Sequence, residues 1–254
     1  MQLKNKNVVV TGAASGIGLG LAARFVTEGA RVVMSDLATS AGADRAKEIG
    51  ARFVAADVSR ESDIAALVDD VLTHEGHIDL FCSNAGIATR MDALADDSTW
   101  ERIIDVNLNG QIRAARHVLP HMLERGEGYL LNTASAAGLL TELESVGYAT
   151  TKHASVGFSE WLAFTYRDRG IGVSVLCPEG VHTPMAEQAP YLLHNAITVE
   201  DVADTVVEAL RTERFMITTH ASTLERFRLK AVDYEGYINA LVGRRSQVLG
   251  GNAR

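Results

Sequence analysis

Seven short apolar runs rich in β-formers recur along the chain: NVVVT (7–11), RVVMS (31–35), RFVAA (52–56), IDLFC (78–82), YLLNT (129–133), GVSVLC (172–177) and FMIT (215–218). Between them lie longer stretches with helical periodicity, at Ile17–Glu28, Ser62–Thr73, Trp100–Leu123, Tyr148–Arg167 and Val199–Leu210. Strand and helix in alternation imply a parallel sheet wrapped by helices. Runs that are apolar at almost every position are what strands buried on both faces require, because no face is left for polar residues. No Pro/Gly-rich linker or charge run divides the 254 residues, and one domain of that length can bury a substantial core. The expected fold class is therefore α/β, a single doubly wound domain with a mostly parallel seven-stranded sheet.

Composition narrows the partners. A formal net charge of −8 with no basic tail argues against nucleic acid and against an anionic membrane surface. No apolar run approaches the roughly 18 residues of a membrane span, and Met1–Asn7 lacks the apolar core of a secretory signal, so the expectation is a cytoplasmic protein. Cys82 and Cys177 each sit in an apolar run and read as buried free thiols.

In a doubly wound sheet ligands bind beyond the carboxyl ends of the strands, so the residues after each run carry the functional argument. After the first comes TGAASGIGLG, in which Gly12, Ser15, Gly16, Ile17 and Gly18 lead into a helix. Glycine lets backbone approach a phosphate, and a helix start presents free N–H groups and the positive end of its dipole. The second strand ends at Asp36, 24 residues beyond Gly12, where a carboxylate can accept from ribose hydroxyls or cap the following turn. In the first role it favours NAD over NADP, since it repels a 2′-phosphate and Ala13, Ala14, Leu37 and Ala38 supply no cation. The third and fourth strands run into Asp57-Val58 and Ser83-Asn84-Ala85-Gly86, small polar turns suited to a flat adenosine and to an amide that ties strands together. Tyr148 and Lys152 are four residues apart and share one face of a helix. A phenol of pKa ~10 is a poor base near neutrality, but an adjacent ammonium favours the phenolate, and the pair can then exchange a proton with an alcohol or carbonyl oxygen. Ser135, at the preceding strand end, can hydrogen-bond the same oxygen.

TGAASGIG, Asp36, Asp57-Val58, NAG at 84–86, Asn107 in VNLNG, Ser135, Tyr148 and Lys152 together resemble the short-chain dehydrogenase/reductase family. The resemblance implies a Rossmann-type fold and an oxidoreductase moving hydride between a nicotinamide cofactor, here NAD, and a secondary alcohol or ketone. By the same resemblance Tyr148 is the general acid/base and Ser135 orients the substrate oxygen. Lys152 lowers the tyrosine pKa and holds the nicotinamide ribose, and Asn107 fixes a water that passes protons to Lys152. A nucleotide-sensing regulator that keeps the fold without turnover is the alternative from another class. Homo-oligomers, dimers or tetramers, are usual in the family.

LCPEGVHTPM, residues 176–185, first suggests a metal or a Cys–His nucleophile. Its closeness to the family's Pro-Gly-x-Val-x-Thr turn assigns Pro178, Val181 and Thr183 to the nicotinamide carboxamide instead. Glu179 stands where that pattern has glycine, followed by Gly180, and either lies near the nicotinamide or substrate, favouring the oxidised cofactor, or points to water while Gly180 absorbs the turn. No metal site is expected: His74 and His77 lack i, i+4 spacing, and His117 and His121 have it without a third ligand. Substrate contacts are expected from Leu139–Ser145 and Val181–Ile197, fitting a partly apolar alcohol or ketone. The tail departs from the family's commonest ending. A helix is predicted over Ser222–Val242, with an apolar stripe at Leu224, Phe227, Ala231, Tyr234, Ile238 and Leu241 that must cover the pocket, another subunit or its own core. The chain thus divides into a cofactor-binding and catalytic core (1–185), a substrate loop and helix (186–213), and a last strand with a helical tail (214–254).

Overall fold

In the computed structural model, which describes residues 1–251, all seven predicted runs form strands of one sheet. They are β1 (Asn7–Thr11), β2 (Arg31–Asp36), β3 (Arg52–Ala55), β4 (Leu80–Ser83), β5 (Gly128–Thr133), β6 (Ile171–Cys177) and β7 (Met216–Thr218). Every neighbouring pair is parallel, in the order β3-β2-β1-β4-β5-β6-β7. The helices are α1 (Gly16–Thr27), α2 (Gly42–Ile49), α3 (Glu61–Glu75), α4 (Asp97–Ile104), α5 (Gly110–Arg125), α6 (Ala137–Leu140), α7 (Val146–Tyr166), α8 (Val199–Arg211), α9 (Ala221–Val232) and α10 (Tyr234–Gly251).

The apolar strands are buried because helices cover both faces. Val8 and Val10 of β1 join the core under α1 and α8, with Leu21, Phe25, Val202 and Val206. Val9, between them, points the other way and packs with Ile64, Leu67, Val118 and Met122 of α3 and α5. Each such aliphatic side chain contributes roughly 1.5–3 kcal/mol by leaving water. Strand order reverses between β1 and β4, which opens a crevice at their carboxyl ends.

Three local differences from the sequence expectation have physical reasons. The periodicity missed α2, since the helix is short and buries only Gly42 and Ala46, too little for an apolar stripe. The predicted helix over 100–123 is divided by a π-helical turn at Asp105–Asn109, which carries the wholly buried Asn107. The predicted tail helix breaks at Asp233, whose carboxylate caps the next helix by accepting the Gly236 N–H at 2.9 Å. The expected stripe is accordingly not a single buried face. Tyr234 and Ile238 are exposed, and the most buried tail residues are Thr223 and Lys230. Among the described residues no helix is long and apolar enough to cross a membrane.

Candidate active site

The crevice at the strand ends is lined by most of the residues the sequence singled out. Gly12 and Ser15 come from the β1–α1 turn, Gly16 and Ile17 from the start of α1, Asp36 from the end of β2, Asp57 and Val58 from the segment after β3, and Asn84, Ala85 and Gly86 from the turn after β4. Tyr148, Lys152, Pro178 and Thr183 close its far end. Gly12 has φ +64°, and a Cβ there would stand 2.6 Å from the Ala85 Cα, so only glycine lets these turns meet. Gly18 lies behind the groove, not in its wall. A Cβ on it would come 2.2 Å from the Gly12 carbonyl oxygen, so this residue sets how closely α1 approaches β1. Ser15 precedes α1 in an extended conformation and its side chain caps none of the first N–H groups, which leaves them as donors at the groove.

Asp36 caps the turn that follows β2 and stays at the groove. Its carboxylate accepts the Ala14 N–H at 2.9 Å and the Leu37 N–H at 2.8 Å, and it still lines the groove. Asn84 is the predicted tie between strands: its Nδ2 donates to the Thr11 and Gly12 carbonyls at 3.2 and 3.3 Å, and its Oδ1 accepts from the Thr133 hydroxyl at 3.1 Å. Asp57 is held below the ordinary carboxylate range: burial alone would raise it, but hydrogen bonds from the Ser59 hydroxyl and N–H outweigh that. Arg102 of α4 also lines the groove and donates to the Ser59 hydroxyl at 3.3 Å, a cation that sequence distance concealed.

The chemical end of the groove is assembled from β5, the π-helical turn and α7. Ser145 caps α7 by accepting the Tyr148 N–H at 3.2 Å, which places Tyr148 in the first turn and Lys152 one turn later. The Lys152 ammonium is 3% exposed, donates to the Thr133 carbonyl at 3.0 Å and lies 5.4 Å from the centre of the Tyr148 ring. Burial pulls its pKa from 10.5 down to about 8. The Tyr148 phenol moves the other way: burial pushes it up, and the Ser135 hydroxyl only partly offsets this. Desolvation disfavours both charged forms and so acts against the depression of Tyr148 that a neighbouring ammonium favours. Ser135 lies within the same cluster, its hydroxyl accepting the Ala137 N–H at 3.1 Å. Asn107 accepts the Ile87 N–H at 2.8 Å and donates to the Ile87 carbonyl at 2.9 Å and to the Thr151 hydroxyl at 3.3 Å. It fastens the turn after β4 to α7, beside Lys152.

A second cavity adjoins the first, and Tyr148, Ile17, Pro178, Thr183 and Met185 are walls of both. Ser135 and Val181 face this second cavity. The predicted substrate segments contribute, Leu140–Ser145 on one side and Met185, Tyr191 and Leu192 on the other, whereas His182 and His194 do not line it. The Tyr191 hydroxyl donates to the Glu142 carboxylate and joins the two segments. Arg90, Arg226, Tyr237 and Arg244 also line the cavity, and no local pattern announced them. Only Leu241 of the tail stripe reaches it, so the tail covers the pocket mainly with polar and aromatic side chains.

Glu179 lies in the wall of the second cavity, the one expected to take substrate, and not in the groove. Its carboxylate accepts from the Thr223 hydroxyl at 2.8 Å and from the Arg226 guanidinium, both on α9. Burial would raise its pKa, but these two partners outweigh it and hold the carboxyl low. Gly180 does not absorb a turn with positive φ; it allows the Leu192 carbonyl to approach, since a Cβ would stand 2.1 Å from that oxygen. Cys82 and Cys177 are free and buried, and burial pushes the Cys177 thiol up to about 12, far from a nucleophilic thiolate.

With this geometry in place, comparison with known proteins is direct. The sequence pattern of the short chain dehydrogenase family matches residues 6–191. The chain is 37% identical over 241 residues to 1-deoxy-11-beta-hydroxypentalenate dehydrogenase of Streptomyces exfoliatus, covering 90% of this chain and 88% of that one. It is 36% identical over 189 residues to 3beta-hydroxysteroid dehydrogenase 2 of Eggerthella lenta, covering 71% of this chain and 73% of that one. A short chain dehydrogenase/reductase from Burkholderia phymatum, solved in complex with NAD, superposes with a TM-score of 0.87 at 29% identity, over 92% of this chain and 96% of that chain. The 3-ketoacyl-(acyl-carrier-protein) reductase of Brucella melitensis, complexed with NADH, gives 0.80 at 31% identity, over 85% and 97%. A seven-stranded parallel sheet, a glycine-shaped groove at its switch point and these likenesses agree: the chain belongs to the short-chain dehydrogenase/reductase family of oxidoreductases.

Proposed function

We propose that the protein transfers hydride between NAD(H) and a partly apolar secondary alcohol or ketone, with Tyr148 as the general acid/base. The observation that carries this reading is that Tyr148 is a wall common to the two cavities, with Lys152 on the groove side and Ser135 on the pocket side. The groove fits a dinucleotide: its glycine turn could not carry side chains, and the free N–H groups of α1 meet it at one end. Gly12, Ser15, Gly16 and Ile17 would hold the pyrophosphate, Gly18 would keep α1 close behind it, and Asp36 would hold the adenosine ribose. Asp57, Val58, Asn84, Ala85 and Gly86 would flank the adenosine, and Pro178, Val181 and Thr183 the nicotinamide. When bound, the cofactor supplies or accepts the hydride. Asp36 supports NAD over NADP, because a second anion beside this carboxylate is repelled and Arg102 is engaged at Ser59.

The chain's own residues do the proton work. Tyr148 as the phenol, the form burial favours, donates its proton to a carbonyl oxygen in reduction, and as the phenolate it takes the hydroxyl proton in oxidation. Ser135 holds that oxygen, and Lys152, fixed by the Thr133 carbonyl, stabilises a phenolate when one forms. Asn107 supports Lys152 through Thr151 and the turn after β4. Leu140, Leu143, Leu192 and Tyr237 suit a hydrocarbon body next to the reacting oxygen, as do the hydroxypentalenate and hydroxysteroid substrates named for the two relatives. An assembly of several copies is the family expectation and the cytoplasm that of the sequence, and Trp161 and Phe164, exposed on α7, are apolar surface open to such an assembly. Light scattering after gel filtration measures that assembly.

The test is a screen of secondary alcohols and ketones, read by the absorbance of the reduced cofactor, together with thermal stabilisation by NAD(H) and NADP(H). NAD(H) is expected to stabilise more, and Tyr148→Phe to bind NADH while losing turnover. Turnover that survives this replacement removes Tyr148 from its role, stronger stabilisation by NADP(H) defeats the Asp36 argument, and binding without turnover of any compound points to a nucleotide sensor.

A further inference from the structure

The α9–α10 tail is held to the core by side chains that meet two places beside Tyr148. On one side Lys230 donates to the Leu139 carbonyl at 2.7 Å, the Tyr237 hydroxyl to the Leu140 carbonyl, and Arg245 to the Leu143 carbonyl at 3.1 Å. The first two carbonyls end the one-turn helix α6, where acceptors lack helical partners, and a cation there also suits the helix dipole. On the other side a core side chain, Glu179, anchors the tail by taking the Thr223 hydroxyl and the Arg226 guanidinium. Its own N–H donates to the Thr219 hydroxyl at 3.2 Å, so backbone and side chain bind the same segment. Thr223 is wholly buried, and the Glu179 and Arg226 side chains are 24% and 33% exposed, so the pair is partly removed from water. Pro178, Glu179, Gly180 and Val181 all line the Tyr148 pocket, as do Arg226, Tyr237, Leu241 and Arg244 of the tail.

We infer that Glu179 is a positioning residue that sets substrate selection, fixing the α9–α10 wall of the pocket against the turn after β6 through Arg226 and Thr223. A glycine at this position offers no carboxylate, so the tether and the unusual tail belong together. The inference rests on the proposed alcohol or ketone turnover for its kinetic part only. Its mechanical part stands on the contacts alone. Substrate meets the wall in the ground state as well as later, so loosening the wall raises KM more than it lowers kcat.

The experiment compares wild type, Glu179→Gln, Arg226→Met, the double variant and the charge exchange Glu179→Arg/Arg226→Glu. It reads KM and kcat on the best compound from the screen, the affinities for NADH by fluorescence and for NAD by its competition with NADH, and hydrogen exchange of amides in 221–232 with NADH bound. Each single variant is expected to raise KM about tenfold with kcat within about twofold, the loss of one charge-assisted hydrogen bond, and to speed exchange by a similar factor. The double variant should be no worse than either single one, and the charge exchange should recover much of the loss. Faster exchange with unchanged KM reduces the pair to a structural contact and overturns the inference. A change in the NAD-to-NADH affinity ratio with KM and exchange both unchanged overturns it too, in favour of an electrostatic role at the cofactor. If wild type turns over no compound, the proposed function falls, and exchange alone decides the tether: no acceleration in Glu179→Gln refutes it.

Discussion

Lys152 is a buried cation whose partners are a carbonyl and the face of an aromatic ring, and it should make stability depend on alkaline pH in a way a single replacement can isolate. Its ammonium is 3% exposed, with the Thr133 carbonyl at 3.0 Å, and burial brings its pKa from 10.5 to about 8. At about 1.4 kcal/mol per tenfold change in proton affinity, this difference amounts to about 3 kcal/mol. The sign follows from which state holds the proton more tightly. The folded state binds it more weakly, so the penalty is fully present below about pH 8 and disappears as pH rises towards the unfolded value of 10.5. Lys152→Met keeps most of the volume and removes the titration. Measured by urea unfolding, the stability of wild type relative to Lys152→Met should therefore rise by about 2 kcal/mol between pH 7 and pH 9.5. Other titrating groups are common to both proteins and cancel. A difference that stays flat across this range would show that Lys152 is not destabilised as an ammonium, and the account of how it supports Tyr148 would have to be rebuilt.

Gly18→Ala should cost more than the ordinary helical gain from alanine returns, since its Cβ would stand 2.2 Å from the Gly12 oxygen and 2.6 Å from the Asn84 Nδ2; both melting temperature and NADH affinity should fall, and an unchanged affinity would separate Gly18 from the groove. Asp79 is 2% exposed and accepts from the Asn7 N–H, Arg125 and Lys6. Burial alone would raise its pKa, but these partners outweigh it and hold it low, so its contribution is present above the unfolded pKa and is lost as pH falls through the folded one. Asp79→Asn should cost about 3 kcal/mol at neutral pH and progressively less below about pH 4, checked by denaturant titrations at both ends. Cys82 and Cys177 should not react with a thiol reagent until the protein unfolds, because both are wholly buried and protonated; rapid labelling of the native protein would contradict that burial.

The short-range features were legible because their physics is local. A strand buried on both faces must be apolar at nearly every position, so the inner strands could be located from runs such as NVVVT and YLLNT, and the part-buried edge strands β3 and β7 from their place in the alternation. Glycines that permit close approach, and a tyrosine and lysine one helical turn apart, likewise announce themselves through spacing. The short polar helix α2, the π-helical turn around Asn107 and the break at Asp233 were not legible, since each depends on what the side chain meets. Glu179 shows the limit most clearly. In the sequence it is an isolated departure beside a cofactor turn, and only its meeting with Thr223 and Arg226, more than forty residues away, makes it a tether. The pKa of Lys152 follows the same rule: the sequence determined its distance from Tyr148 along the helix, while the tertiary structure decided how much water each group loses. Periodicity and backbone permission are properties of neighbouring residues, and the sequence by itself determined them. Desolvation and long-range pairing exist only once the chain has folded, and the structure alone decided which residues close the pocket.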